Sequence, residues 1–322
     1  MKLFDLHCDT LYECCETGKH LRENDLHVNR AAAQRYGHYA QFFALFCGAR
    51  APSEELAKGR DCLLDRPADT RLEHMLQTAR REFAANADWL MFCRSAEDFR
   101  RAADAGKAAA FLSVEGAELL PDRPDALDFA YDAGIRLITL TWNYRSRFGC
   151  SCAVDQDEGL TAAGMQLVRD CAEKGIIVDV SHLSEKGFWD VCETMDGPFV
   201  ASHSDARALC RHPRNLTDRQ FAEIVRRGGL AGINLYTPFL VCQSDSVIDD
   251  AIRHIEHFLD LGGEQALALG CDFDGCDRLP AGIGGLGDMY RLAERMLALG
   301  YPARTVDALF YDNAAAFIER ML

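Results

Sequence analysis

The chain has 322 residues, 48% of them hydrophobic and 26% charged, with a formal net charge of −15. That balance predicts a packed globular core and argues against nucleic acid, which needs a basic patch, and against docking on anionic membranes. The 14 cysteines include no C-x-x-C pair, no apolar run approaches the ~18 residues of a membrane span, and the chain opens on a strand-like segment rather than an apolar leader. Reduced, scattered thiols in a cytoplasmic protein are expected.

In chain order, strand-like apolar runs fall at 3–7, 41–46, 109–114, 136–141, 176–181, 199–202, 230–234 and 266–271, with an accessory run at 89–92. Helical patterns lie between them. Leu72, Met75, Leu76, Ala79 and Phe83 follow the i, i+3, i+4, i+7 rule. Residues 161–175 read as a helix with Thr161 as N-cap and Gly175 as its stop. Residues 246–262 and 287–300 have the same character. Apolar strands alternating with helices imply a parallel sheet buried on both faces. Eight of them predict a (β/α)8 TIM-type barrel, with a doubly wound open sheet as the alternative. No linker or repeat divides the chain, so residues 1–322 are read as one domain.

In a barrel, chemistry sits at the C-terminal ends of the strands. The first run, in LFDLHCDT, ends in His7 and Asp9, which share a face if the strand is regular. AAAFLSVEG ends in Glu115, RLITLTWN in Trp142 and Asn143, IIVDVSH in His182, FVASHS in His203, LAGINLY in Asn234 and Tyr236, and ALALGCDFDG in Asp272 and Asp274. Any one of these has a structural explanation, such as a hydrogen-bonded strand-end histidine. Together they put three histidines and several carboxylates at one end of a barrel. Unneutralised carboxylates so gathered raise one another's pKa values, a penalty that divalent cations remove. Five ligands exceed a tetrahedral site but suit two metals sharing a carboxylate. The expected arrangement has His7 and Asp9 on one metal, His182 and His203 on the other, and Glu115 between them. Imidazole-rich sites favour zinc, with manganese or cobalt as alternatives. No lysine ends a strand, so a carbamylated-lysine bridge is not expected.

DLHCDT, SVEG, VDVSH, ASHSDARALCRHPRN and LGCDFDG resemble, in order and at similar spacing, the renal (membrane) dipeptidase family of the amidohydrolase superfamily. The resemblance implies a barrel with two zinc ions that hydrolyses dipeptides, including those with a D-residue at the C-terminal position. It implies that His7, Asp9, Glu115, His182 and His203 hold the metals, that Arg214 holds the substrate carboxylate, and that Asp272 manages the proton as a metal-bridging hydroxide attacks the scissile carbonyl. Asp274 is expected to be structural. One departure stands out. Animal members carry a histidine after the fourth main strand, in LTLTH, where this chain has Trp142. Trp142, Asn143 and Tyr236 are therefore read as substrate-facing, and Phe239 stands where animal members place a tyrosine. Animal members are secreted and lipid-anchored, whereas this chain shows neither signal. A homodimer is expected by analogy alone.

Other motifs carry less. GIGGLG at 282–287 has the dinucleotide spacing, but about ten residues of Asp- and Pro-bearing loop separate it from the preceding strand, so a rim loop is expected. His254 and His257 form H-I-E-H, not the H-E-x-x-H of zincins, and no G-x-S-x-G elbow is present. Two rival functions remain: lactone or deamination chemistry on a related barrel, and a metal-binding homologue that has lost catalysis.

Overall fold

The structure is a computed structural model that describes residues 1–48, 67–242 and 245–322, with the side chains of 68 and 69 left out. Among the described residues nine strands alternate with helices: β1 (Lys2–Cys8), β2 (His38–Phe46), β3 (Leu90–Phe92), β4 (Ala108–Glu115), β5 (Ile135–Thr139), β6 (Ile177–Asp179), β7 (Val200–Ala201), β8 (Leu230–Ile233) and β9 (Leu267–Leu269). Neighbours run in the order β2-β1-β9-β8-β7-β6-β5-β4, and β2 pairs with β4, so the sheet closes on itself. Each pairing between these strands is parallel. This is the (β/α)8 barrel, and the open-sheet alternative falls with the β2–β4 ladder. The run at 89–92 is indeed accessory. β3 pairs with residues 108–110 of β4, below the point at Leu112 where β5 takes over the same edge.

Alternation along the strands sorts the core into two shells. Phe4 on β1 stacks at 5.9 Å on Phe111 of β4 although β2 lies between those strands, so both rings point into the barrel. Phe42 joins them, and Leu137, Ile177, Val200 and Leu230 continue the same cluster round the circle. The alternate residues, such as Leu3, Phe43, Leu112, Val178 and Ile233, pack outward with helix residues such as Leu72, Phe188, Ile224 and Ile255. A filled lower barrel leaves only the strand C-termini open for a site.

Helix ends follow their sequence signals. The Thr161 side chain accepts from Gly164 N–H to open Ala162–Lys174, and Gly175 closes it at φ 74°. No helix among the described residues is long and apolar enough to cross a membrane.

Candidate active site

The mouth of the barrel gathers residues from the C-terminal ends of seven strands, β1 and β4 to β9. His7 comes from β1, and its position breaks simple alternation. Leu6 already belongs to the interior cluster, yet its neighbour His7 also reaches the mouth. The β1–β2 register shifts between Asp5 and Cys8, the kind of irregularity that lets consecutive residues face one side. Asp5 pins the shift by accepting from His7 N–H at 3.3 Å and Cys271 N–H at 2.8 Å. Asp9 N–H then donates to Phe273 O at 2.8 Å, which draws Asp9 beside the loop after β9. Glu115 is the last residue of β4, in phase with Phe111.

Backbone strain concentrates here. His182, Asp272 and Asp274 are the non-glycine residues with positive φ among those described, at 67°, 60° and 67°. Each such residue costs on the order of 1–2 kcal/mol. In each case the chain leaves a strand and turns sharply.

The side chains meet closely. His182 Nε2 lies 2.9 Å and His203 Nε2 3.6 Å from Glu115 Oε1, and the two nitrogens are 3.0 Å apart. His7 Nε2 lies 3.6 Å from the other oxygen, Glu115 Oε2, 3.4 Å from Asp9 Oδ2 and 3.8 Å from Asp272 Oδ1. The His7 and His203 rings stack at 3.9 Å. The structure thus brings together the five side chains named from the strand ends, and Asp272 with them.

Supporting contacts fix their orientations. His182 Nδ1 sits 2.8 Å from Asn143 Oδ1, an acceptor, so it carries the proton and leaves Nε2 with a free lone pair. His203 Nδ1 lies 2.6 Å from Ser202 Oγ, which donates in turn to Asp179 Oδ2 at 2.6 Å. Asn234 Nδ2 donates to Asp272 Oδ2 at 3.0 Å and leaves Oδ1 toward the cage. Asp274 accepts from Thr10 Oγ at 2.5 Å and His27 N–H at 2.7 Å, outside the cage. Strand-end reading named Asn234 without giving it this role, and it did not single out Asp179. The available signal for Asp179 is a charged residue inside the apolar run IIVDVSH.

Electrostatically the cage is overloaded with carboxylates. Burial, with the Glu115 charge adding to it, pushes Asp9 up to about 8. Burial also raises Asp272. Burial alone would lift Glu115, but His7 and the hydrogen bonds from His182 and His203 hold it well below the usual carboxylate range. Burial, helped by Arg214, drives His182 down to about 4. Both ring nitrogens of His7 and Asp9 Oδ1 are buried without a hydrogen-bond partner. Buried orphans of this kind demand a ligand. Imidazole nitrogens and carboxylate oxygens converging on common points are metal donors, and His7, Glu115 and His203, like His7, Asp9 and Asp272, form sets that could hold an ion. The residues present therefore fit divalent metal.

A cavity of about 760 Å³ opens above the cage. Arg214 lines it, is 6% exposed, and has Nε and Nη1 without partners. Its guanidinium lies 5.2 Å from the Phe239 ring centre, and Tyr236 packs edge-on against the same ring at 4.9 Å. Trp142, Asn143 and Tyr236 all line this cavity. Of the lysines, Lys58 lies outside the described residues and none of the others lines the cavity.

A parallel barrel with histidines and carboxylates converging at its strand ends defines the class of metal-dependent hydrolases. The sequence narrows the class: residues 1–320 match the family described as membrane dipeptidase (peptidase family M19), and the chain belongs to that family. A Klebsiella pneumoniae protein, described as an uncharacterized protein in the pqqA 5' region, is 37% identical over 240 residues, covering 71% of this chain and 88% of its own. The crystal structure of "the dipeptidase AC", a metallopeptidase of family M19, superposes with a TM-score of 0.89 at 28% identity, covering 100% of this chain and 99% of that one. A metallopeptidase from Rhodobacter sphaeroides, crystallised with a phosphinate mimic of the dipeptide L-Ala-D-Ala, gives 0.88 at 28% identity with the same coverage. The protein is a metal-dependent dipeptidase.

Proposed function

We propose that residues 1–322 act as one catalytic domain that binds two divalent metals, zinc by preference, and cleaves dipeptides bearing a free C-terminal carboxylate, L-D dipeptides included. The observation that carries the two-metal reading is the division of Glu115: one oxygen faces His182 and His203, the other faces His7. His7 and Asp9 would hold one ion, His182 and His203 the other, and Glu115 would join them. Zinc rests on the imidazole content of the donor set. The inclusion of L-D dipeptides draws on the ligand of the Rhodobacter sphaeroides relative. A reducing, cytoplasmic setting rests on the scattered cysteines, none at C-x-x-C spacing.

Bound metal supplies Lewis acidity toward a carbonyl and lowers the pKa of water. The chain supplies the rest. Arg214, pre-stacked on Phe239 and with unspent donors, binds the substrate carboxylate by a two-point contact. Asp272 Oδ1 takes the proton of the attacking water and returns it to the leaving amine, while Asn234 holds the other oxygen still. Asn143 and Ser202 keep the His182 and His203 rings from turning. Trp142 lies in place of the animal histidine, packed edge-on against Phe46 at 4.8 Å.

The test joins metal analysis to a dipeptide screen that varies stereochemistry at the second residue, with lactones and aminopurines alongside. Dipeptide hydrolysis that is abolished by chelation and restored by zinc is expected. Asp272→Asn should retain both ions and lose roughly two orders of magnitude in turnover, whereas Glu115→Ala should lose the ions themselves. Two tightly held metals in Glu115→Ala would refute the bridge, and turnover confined to lactones or aminopurines would refute the substrate class.

A further inference from the structure

The two halves of the mouth differ in chemistry. Arg214, Tyr236 and Phe239 stand on the loops after β7 and β8. Opposite them, above β1, β2 and β5, rings follow one another: Tyr12 is edge-on to Phe46 at 5.1 Å, Phe46 is edge-on to Trp142 at 4.8 Å, and Trp142 meets Tyr144 at 5.4 Å. A substrate whose carboxylate lies at Arg214 and whose scissile bond lies at the cage must place its N-terminal residue against this wall.

Among the described residues, one carboxylate in that half, that of Glu13, has no hydrogen-bond or ion-pair partner, with Lys19 acting on it only through its field. Glu13 lines the cavity. The other acids are accounted for. Asp9, Glu115 and Asp272 belong to the cage, Asp274 is bound by Thr10 and His27, and Asp277 stands beside Tyr236 in the opposite half. Glu13 N–H donates to Asp9 O at 3.1 Å, so the Glu13 backbone sits one helical turn, about 5.4 Å, beyond Asp9 along the helix Thr10–Thr17, where its side chain lines the cavity. The α-ammonium of a dipeptide is attached beside the scissile carbonyl and stays at the level of the cage. A group that reaches a turn farther out must be at the end of a long side chain. Aromatic faces and a lone carboxylate together recognise a cation, and an apolar side chain there would cover Glu13 without satisfying it.

We propose that Glu13 and the ring wall of Tyr12, Phe46 and Trp142 form a specificity site for dipeptides whose N-terminal residue is lysine or arginine. This rests on the dipeptidase reading and extends it to the substrate class. The N-terminal ammonium or guanidinium pairs with Glu13 while its methylenes lie along the rings.

The experiment measures kcat/KM of the zinc-loaded full chain for L-Arg-Gly, L-Leu-Gly and L-Glu-Gly, whose shared glycine removes stereochemistry at the second position. L-Arg-Gly is expected to lead L-Leu-Gly by tenfold or more, with L-Glu-Gly last. Glu13→Gln should shrink the Arg/Leu ratio at least tenfold, and Glu13→Lys should move L-Glu-Gly ahead of L-Arg-Gly. Damage to the fold would lower all three substrates together and leave the ratios unmoved, which overturns the assignment to Glu13. L-Leu-Gly cleaved as well as L-Arg-Gly by the wild type overturns the inference and leaves the dipeptidase reading intact. Hydrolysis of none of the three overturns both.

Discussion

Position 275 shows how tightly the cage is drawn. A Cβ built on Gly275 would collide with Asp9 Oδ2 and with Asp272 Oδ1. Both oxygens belong to the group around His7. The glycine in DFDG therefore serves close approach of backbone to a cluster of acids, not a turn of special handedness. Gly275→Ala should fold, because the collision is with side-chain ends that can move. It should also spread the two carboxylates apart. The expected result is weaker retention of the ion nearer His7 and a loss of tenfold or more in kcat/KM, read by metal analysis after gel filtration and by dipeptide turnover. Full metal content with wild-type kinetics would show that the acids have more room than their packing indicates.

The strand β6 is held by one buried acid. Asp179, fully buried, accepts from Thr139 Oγ on β5, from Ser202 Oγ and Ser202 N–H at the end of β7, and from Ser181 N–H. It thus fastens three neighbouring strands where β6 and β7 are too short to hold one another by a long ladder. Through Ser202 it also sets the His203 ring. Asp179→Ala removes the acceptor and leaves buried donors unpaired. A loss of at least about 3 kcal/mol in unfolding free energy follows from the usual cost of such groups, measurable as a lowered urea midpoint. Denaturation unchanged from wild type would mean that water replaces the carboxylate. The sequence VDVSH contains this residue in plain sight, but strand-end reading looks only at the last residue of each run. What marks Asp179 is the reverse signal, a charge where the run is otherwise apolar.

At the scale of the whole molecule, the sequence carries the barrel and the cage for one reason. Closure brings every strand C-terminus to one rim, so residues far apart in the chain, such as His7 and His203, become neighbours without any local signal. The β1 register shift was not legible, because alternation assigns faces and cannot announce where a strand breaks phase. Nor could the chain reveal which rim acids find a hydrogen-bond partner among the described residues, the distinction that separates Asp274 from Glu13. The H-I-E-H pair illustrates the same limit. Neither histidine lies at the mouth, and His254 instead ties the helix Ile248–Asp260 to the rest of the fold. Its Nδ1 accepts from Ala206 N–H at 3.0 Å and its Nε2 donates to Leu240 O at 3.0 Å, so only the neutral ring satisfies both. Burial holds it down to about 4; Leu240 O opposes that shift, while Arg253 and His257 add to it. Released into the unfolded chain it would titrate near 6.5. Between those values the unfolded state binds the proton and the native state does not, so stability falls as pH drops from about 6.5 toward 4. From pH 7 to pH 5 this one ring removes about 2 kcal/mol. His254→Gln can keep the bond to Leu240 O and cannot titrate. Urea unfolding of the metal-loaded protein at both pH values should therefore show a drop smaller by about that amount in the variant. An equal drop in wild type and variant would place the acid sensitivity elsewhere in the molecule and leave His254 as packing alone.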